Sequence, residues 1–186
     1  NFDGNTFALK AIEQGAAFAV VDNNECYYQN PDKCILVDDV LLALQDLARY
    51  HRKMTKHIPV VAITGTNGKT TTKELTTAVL SKKYNTHSTK GNYNNHIGVP
   101  LTLLSMPQNT DIAIIEMGAN HPKEIEFLCS IAQPNYGLIT NIGKAHLEGF
   151  GSFENVIKTK TELYNYLRNN DGTAFINSDD NILVEN

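Results

Sequence analysis

An apolar run, Val60-Val-Ala-Ile-Thr64, passes directly into Gly65-Thr-Asn-Gly-Lys-Thr70 and then into a stretch with helical spacing. No other feature limits the fold so tightly. A strand that ends in such a loop and feeds a helix gathers backbone N–H groups, a helix N-terminus and one ammonium at a single point, which suits a polyphosphate. The glycines let the backbone approach, Lys69 can reach the β and γ phosphates, and the Thr70 hydroxyl is a hard oxygen ligand for magnesium. Gly65, Thr66, Asn67, Gly68, Lys69, Thr70 and Thr71 are the expected nucleotide contacts. The full phosphate-loop pattern asks for glycine where Ile63 stands, so the match is incomplete at its first position. An ordinary glycine turn is the competing reading, and the order strand, loop, helix favours phosphate.

Beyond Pro59 the pattern alternates regularly. Strands are expected at 60–64, 112–115, 137–140 and 173–176, with helices at 69–81, 122–132 and 153–168 between them. A further short strand is expected at 182–184. Near-continuous apolar strands separated by helices predict an α/β fold with a mainly parallel sheet covered by helices on both faces. Ligands of such sheets sit at the carboxyl ends of the strands. Residues 1–57 read as part of a smaller α/β domain plus a connecting helix. That piece has a helix around Ala8 to Ile12 stopped by Gly15, strands at 17–21 and 35–37, and a helix from Val40 into the basic stretch 49–56. Residues 58–186 read as a nucleotide-binding domain.

Composition excludes several classes. The 16 basic and 20 acidic residues give a net charge of −4 with no basic run, so nucleic acid is not an expected partner. Cys26, Cys34 and Cys129 are odd in number and lack metal-ligand spacing, which points to reduced thiols in the cytoplasm. The longest apolar runs are strand-sized, so no membrane span is expected, and the opening residues carry no secretion signal.

Two more strand ends carry chemistry. Ile112-Ala-Ile-Ile-Glu116 ends in a carboxylate where phosphate-loop enzymes hold magnesium, although a lone glutamate there is more often a cap. Tyr136 to Thr140 leads into a polar loop with His146, singled out among six histidines because its loop leaves the same sheet edge; a lone histidine is otherwise usually structural. Lys160 is the least expected residue. At about 100° per residue, Val156, Ile157, Leu163, Tyr164 and Leu167 share one arc with Lys160 in its middle, while Lys158 and Glu162 point away. A lysine there must snorkel, find an anion or lose its charge. A neutral amine can add carbon dioxide to become an anionic carbamate beside a metal. In Gly91-Asn-Tyr-Asn-Asn-His96, Asn94 and Asn95 fit either turn chemistry or amide contacts to a polar substrate.

Together, TGTNGKTTTKEL, GNYNNHIGVPLTLL, EMGANHPKEI, TNIGKAHLEGFGSFENVIKTKTEL and the opening NFDGNTF closely resemble the Mur ligases, and within them the branch that adds D-alanyl-D-alanine. The resemblance covers nearly the whole chain. It implies an ATP-dependent amide ligase of peptidoglycan precursor synthesis that phosphorylates the terminal carboxylate of UDP-N-acetylmuramoyl-tripeptide. The amine of D-alanyl-D-alanine then attacks the acyl phosphate. By motif, Lys69 matches the phosphate-neutralising lysine, Thr70 and Glu116 match magnesium ligands, His146 a second-metal ligand and Lys160 the carbamylated lysine. The resemblance implies three domains, of which this chain would hold the later part of the uridine-nucleotide domain and much of the central ATPase domain. The fragment alone is then expected to bind nucleotide without catalysing. Thr161 departs from the glycine expected after the lysine. A monomer is expected.

One alternative comes from the same family and the others from different classes. A folylpolyglutamate-type ligase would use another acceptor, and the asparagine-rich loop argues against it. A nucleotide switch would need a guanine-reading Asn-Lys-x-Asp tetrapeptide, which the sequence lacks. A simple NTPase or a nucleotide-binding module without catalysis would hydrolyse or bind without regard to a second substrate.

Overall fold

The computed structural model describes residues 3–143 and 147–186. Residues cluster into two compact units, Asn1–Leu44 and Gln45–Asn186, so the division falls inside a helix, α3 (Val40–Met54).

The first unit opens with a 3-10 turn at Gly4–Phe7 and continues through α1 (Ala8–Glu13), β1 (Ala19–Val21), α2 (Asn24–Gln29) and β2 (Cys34–Leu36). The two strands pair in parallel with Ala19 opposite Cys34, and Ala8, Ile12, Val21 and Cys34 form a small core. Residues 24–29 carry no apolar periodicity, so the sequence does not announce this helix. The Asn23 side chain accepts from Cys26 N and nucleates the turn.

The second unit contains β3 (Val60–Thr64), α4 (Lys69–Leu80), β4 (Thr86–Ser88), α5 (Gly98–Leu104), β5 (Ile112–Glu116), α6 (Glu124–Ala132) and β6 (Tyr136–Ile139). It continues with α7 (Leu147–Phe150), α8 (Phe153–Asn169), β7 (Thr173–Phe175) and α9 (Asn181–Glu185). Among the described residues, five strands lie in the order β4-β5-β3-β6-β7, and each pairing between them is parallel. Side chains alternate across the sheet: Val60, Ala62, Ala113 and Ile115 enter one core with α5, α6 and α8 residues, while Val61, Ile63 and Ile114 pack on the opposite face with Leu80 of α4. Helices therefore cover both faces, as the sequence predicts. Each fully buried aliphatic side chain contributes roughly 1.5–3 kcal/mol, so the central strands anchor the unit.

Two expectations need correction. Residues 182–184 are not a strand, because Asp180 accepts hydrogen bonds from Ile182 N and Leu183 N and starts α9, with Leu183 fully buried. The helix expected from Pro122 begins at Glu124, because Lys123 takes a left-handed conformation at φ 73°. Among the described residues no helix is long and apolar enough to cross a membrane.

Candidate active site

β3 is central, and the chain moves from β5 on one side of it to β6 on the other, so the carboxyl ends of these three strands meet at a switch in strand order. The β3 end becomes the phosphate loop. Gly65 has φ 142° and Gly68 φ 76°, conformations that favour glycine. A Cβ on Gly65 would strike the Thr140 hydroxyl and lie 3.0 Å from Thr140 N, so the β6 end leaves no space for a side chain there. That neighbour also braces the loop. Thr66 N donates to Asn141 O at 2.9 Å, Thr140 Oγ1 donates to Asn67 O at 2.6 Å, and Asn141 Nδ2 donates to Asn67 O at 3.0 Å. The bracing role of Thr140 and Asn141 was not apparent in the sequence, although their place at a strand end was.

α4 begins just after Gly68, its N-cap residue, and among the described residues no side chain caps it. Its first-turn N–H groups thus suit an anion. The Lys69 ammonium folds back over the loop, donating to Gly65 O at 2.9 Å and Thr66 O at 3.0 Å. Burial pushes the pKa of Lys69 down, opposed by the Glu116 carboxylate. Asn67, Gly68, Thr70 and Thr71 are exposed.

A cleft of about 670 Å³ opens at this edge, lined in part by Gly65, Thr66, Lys69, Asn94, Ala119 and Lys160. The structure brings the loop and Lys160 together, as the sequence suggests. Lys160 is 3% exposed; its Nζ lies 3.4 Å from Ala119 O and 5.8 Å from the centre of the Phe150 ring. Burial lowers its pKa to about 8, with the Lys69 charge acting in the same direction and Glu124 and Glu162 opposing. Glu162 does not point away as helical spacing implies: its carboxylate accepts from Lys123 N at 2.8 Å and Glu126 N at 2.9 Å, capping α6 from α8.

Glu116 is 2% exposed and does not line the cleft, whereas Asn94, bonded to it, does. Asn94 Nδ2 donates to Glu116 Oε1 at 2.8 Å, and Glu116 Oε2 is buried without a partner among the described residues. A buried carboxylate oxygen without a donor is costly, so this atom fits a hard cation. Among the described residues no group of three His, Cys, Asp or Glu is placed to hold a metal ion by itself. Asn95 also lines the cleft, but its Oδ1 accepts from Ile97 N and Gly98 N at the start of α5. His146 lies outside the described residues.

Residues 63–186 match the family model described as the Mur ligase middle domain. The UDP-N-acetylmuramoyl-tripeptide–D-alanyl-D-alanine ligase of Bacillus subtilis (strain 168) is 43% identical over 183 residues, covering 98% of this chain and 39% of that protein. A crystal structure of MurF from Acinetobacter baumannii superposes with a TM-score of 0.86 at 35% identity, over 99% of this chain and 40% of that one. MurF ligase from Thermotoga maritima in complex with ADP superposes with a TM-score of 0.78 at 36% identity, over 89% of this chain and 38% of that one. The chain thus spans about two-fifths of the length of the relatives it matches.

Proposed function

Because the chain belongs to the Mur ligase family, whose middle domain it carries over residues 63–186, we propose that it forms the nucleotide-binding wall of an ATP-dependent amide ligase. The enzyme joins D-alanyl-D-alanine to UDP-N-acetylmuramoyl-tripeptide in peptidoglycan precursor synthesis. The observation that carries this reading is the convergence on one sheet edge of the Gly65–Lys69 loop, the half-satisfied Glu116 carboxylate and the buried Lys160. Residues 1–57 are assigned to the uridine-nucleotide domain and its connecting helix, and 58–186 to the central ATPase domain. A cytoplasmic location suits the nucleotide and the three free cysteines.

In this reading the Lys69 ammonium exchanges its two loop carbonyls for the β and γ phosphates of ATP, and the bare N-terminus of α4 takes further charge. The γ-phosphoryl group passes to the tripeptide carboxylate with ADP leaving. The amine of D-alanyl-D-alanine then adds to the acyl carbon, and phosphate departs as the amide forms. Lys69 supplies fixed positive charge where the phosphoryl oxygens gain negative charge. Glu116 and Thr70 would hold magnesium, with His146, and with Lys160 as a carbamate, at a second ion. Magnesium supplies neutralisation of phosphate charge. Asn94 orients Glu116 by its 2.8 Å hydrogen bond.

The test is phosphate release by the full-length protein with UDP-N-acetylmuramoyl-tripeptide and D-alanyl-D-alanine. Release is expected only when both are present; equal hydrolysis without them would identify a simple NTPase.

A further inference from the structure

Lys73 lies one turn beyond Lys69 on α4, yet its side chain is 1% exposed and the proposed reaction does not use it. Its Nζ donates to Thr89 O at 2.6 Å and pairs with Glu74 Oε1 at 2.7 Å. The Glu74 side chain is 64% exposed, so the cation is inside the protein while its anion stands largely in water. Such a pair gives little back for the dehydration of the ammonium. The fixed partner is the Thr89 carbonyl, and what Thr89 holds explains the placement.

Thr89 is also 1% exposed and extends the β4 ladder, its N donating to Ile114 O at 3.0 Å. Its hydroxyl accepts from Glu116 N at 2.9 Å. Five residues further on, Asn94 donates to Glu116 Oε1, and its own carbonyl accepts from Gly118 N at 2.7 Å. The segment from Thr89 to Asn94 therefore grips both the backbone and the carboxylate of Glu116. Lys73 holds the first end of that segment to the helix that starts at the phosphate loop.

We propose that Lys73 is a positioning residue for the Glu116 carboxylate: by fixing Thr89 from α4 it sets the spacing between the phosphate loop and the cation-binding oxygen. The inference rests on the reading that Glu116 takes a divalent cation. Partners of this indirect kind commonly change metal affinity by about 10–100-fold when removed.

The experiment measures ADP affinity by calorimetry across a magnesium titration and in EDTA, using the full-length protein, Lys73→Met and Thr89→Val. Lys73→Met keeps the chain length but deletes the donor, and Thr89→Val deletes the acceptor for Glu116 N at nearly constant shape. The magnesium concentration at half-saturation is expected to rise about tenfold in each, with the affinity in EDTA within about twofold of the parent. Unchanged half-saturation in either variant overturns the proposal, as does an equal loss with and without magnesium, which marks a merely structural role. Thr89→Val reads the hydroxyl link to Glu116 N; where Lys73→Met does not fold, Lys73→Arg, which keeps a cation but displaces the donor from Thr89 O, reads the Lys73 link under the same criteria. A parent whose ADP affinity ignores magnesium would instead remove the metal role of Glu116, and this inference with it.

Discussion

Asn94 and Glu116 are joined by one 2.8 Å hydrogen bond, and that bond satisfies only one of the two carboxylate oxygens. Glu116 is thus held in place with Oε2 left for a cation. In metal-free protein Asn94→Ala leaves both oxygens without a donor, and a loss of about 1–3 kcal/mol is expected in urea unfolding. Magnesium-dependent ADP binding should weaken as well. Unchanged stability and affinity would mean that the bond contributes nothing.

Lys160 makes stability depend on pH in an unusual direction. Its folded pKa, about 8, lies below the ordinary 10.5, so the folded chain binds fewer protons than the unfolded chain between these values. The cost of the buried ammonium is fully present below pH 8 and fades as pH rises to 10.5. In carbon dioxide-free, metal-free buffer, Lys160→Met should be more stable than the parent by about 1–3 kcal/mol at pH 7, with the difference shrinking by pH 10. A pH-independent difference would contradict the burial of this charge.

Gly65 and Gly68 should respond differently to alanine. At Gly65 the new Cβ collides with Thr140, whereas at Gly68 it meets nothing within 4 Å. Gly68→Ala should cost about 1–2 kcal/mol, the usual penalty for a left-handed residue, and leave ADP binding measurable. Gly65→Ala should cost more and weaken ADP binding at least tenfold. Thermal melts and calorimetry compare the pair, and equal effects would refute the packing of the loop against β6.

Arg52 is 2% exposed and donates to Ala132 O, Thr55 O, Gln133 O and Asn135 Oδ1. It closes the C-terminal end of α6 and does not line the cleft. Arg52→Met strands these acceptors and should destabilise by about 2–4 kcal/mol. ADP affinity below the melting transition should stay unchanged; a loss there would connect Arg52 to the site.

The legible elements were those written locally. Val60–Thr64 took the bounds read for it, because apolar residues between Pro59 and Gly65 admit one strand, buried at all 5 positions. Lys160 was placed in the core by helical spacing alone. β4 was missed because Thr86-His-Ser88 is a short polar edge strand, recognisable only when β5 pairs with it. Lys73 was missed because its burial depends on Thr89, 16 residues away. Glu162 was misplaced because the start of α6, over 30 residues earlier, supplies its donors. Spacing along one helix cannot register a partner brought by another.

The chemistry itself is tested most directly by oxygen transfer. UDP-N-acetylmuramoyl-tripeptide labelled with 18O in its terminal carboxylate is turned over by the full-length protein with ATP and D-alanyl-D-alanine, and the released phosphate is analysed by mass. An acyl phosphate requires one carboxylate oxygen to leave with the phosphate, so labelled phosphate is expected in step with amide formation. Amide formed with wholly unlabelled phosphate would contradict a ligase site built for that intermediate.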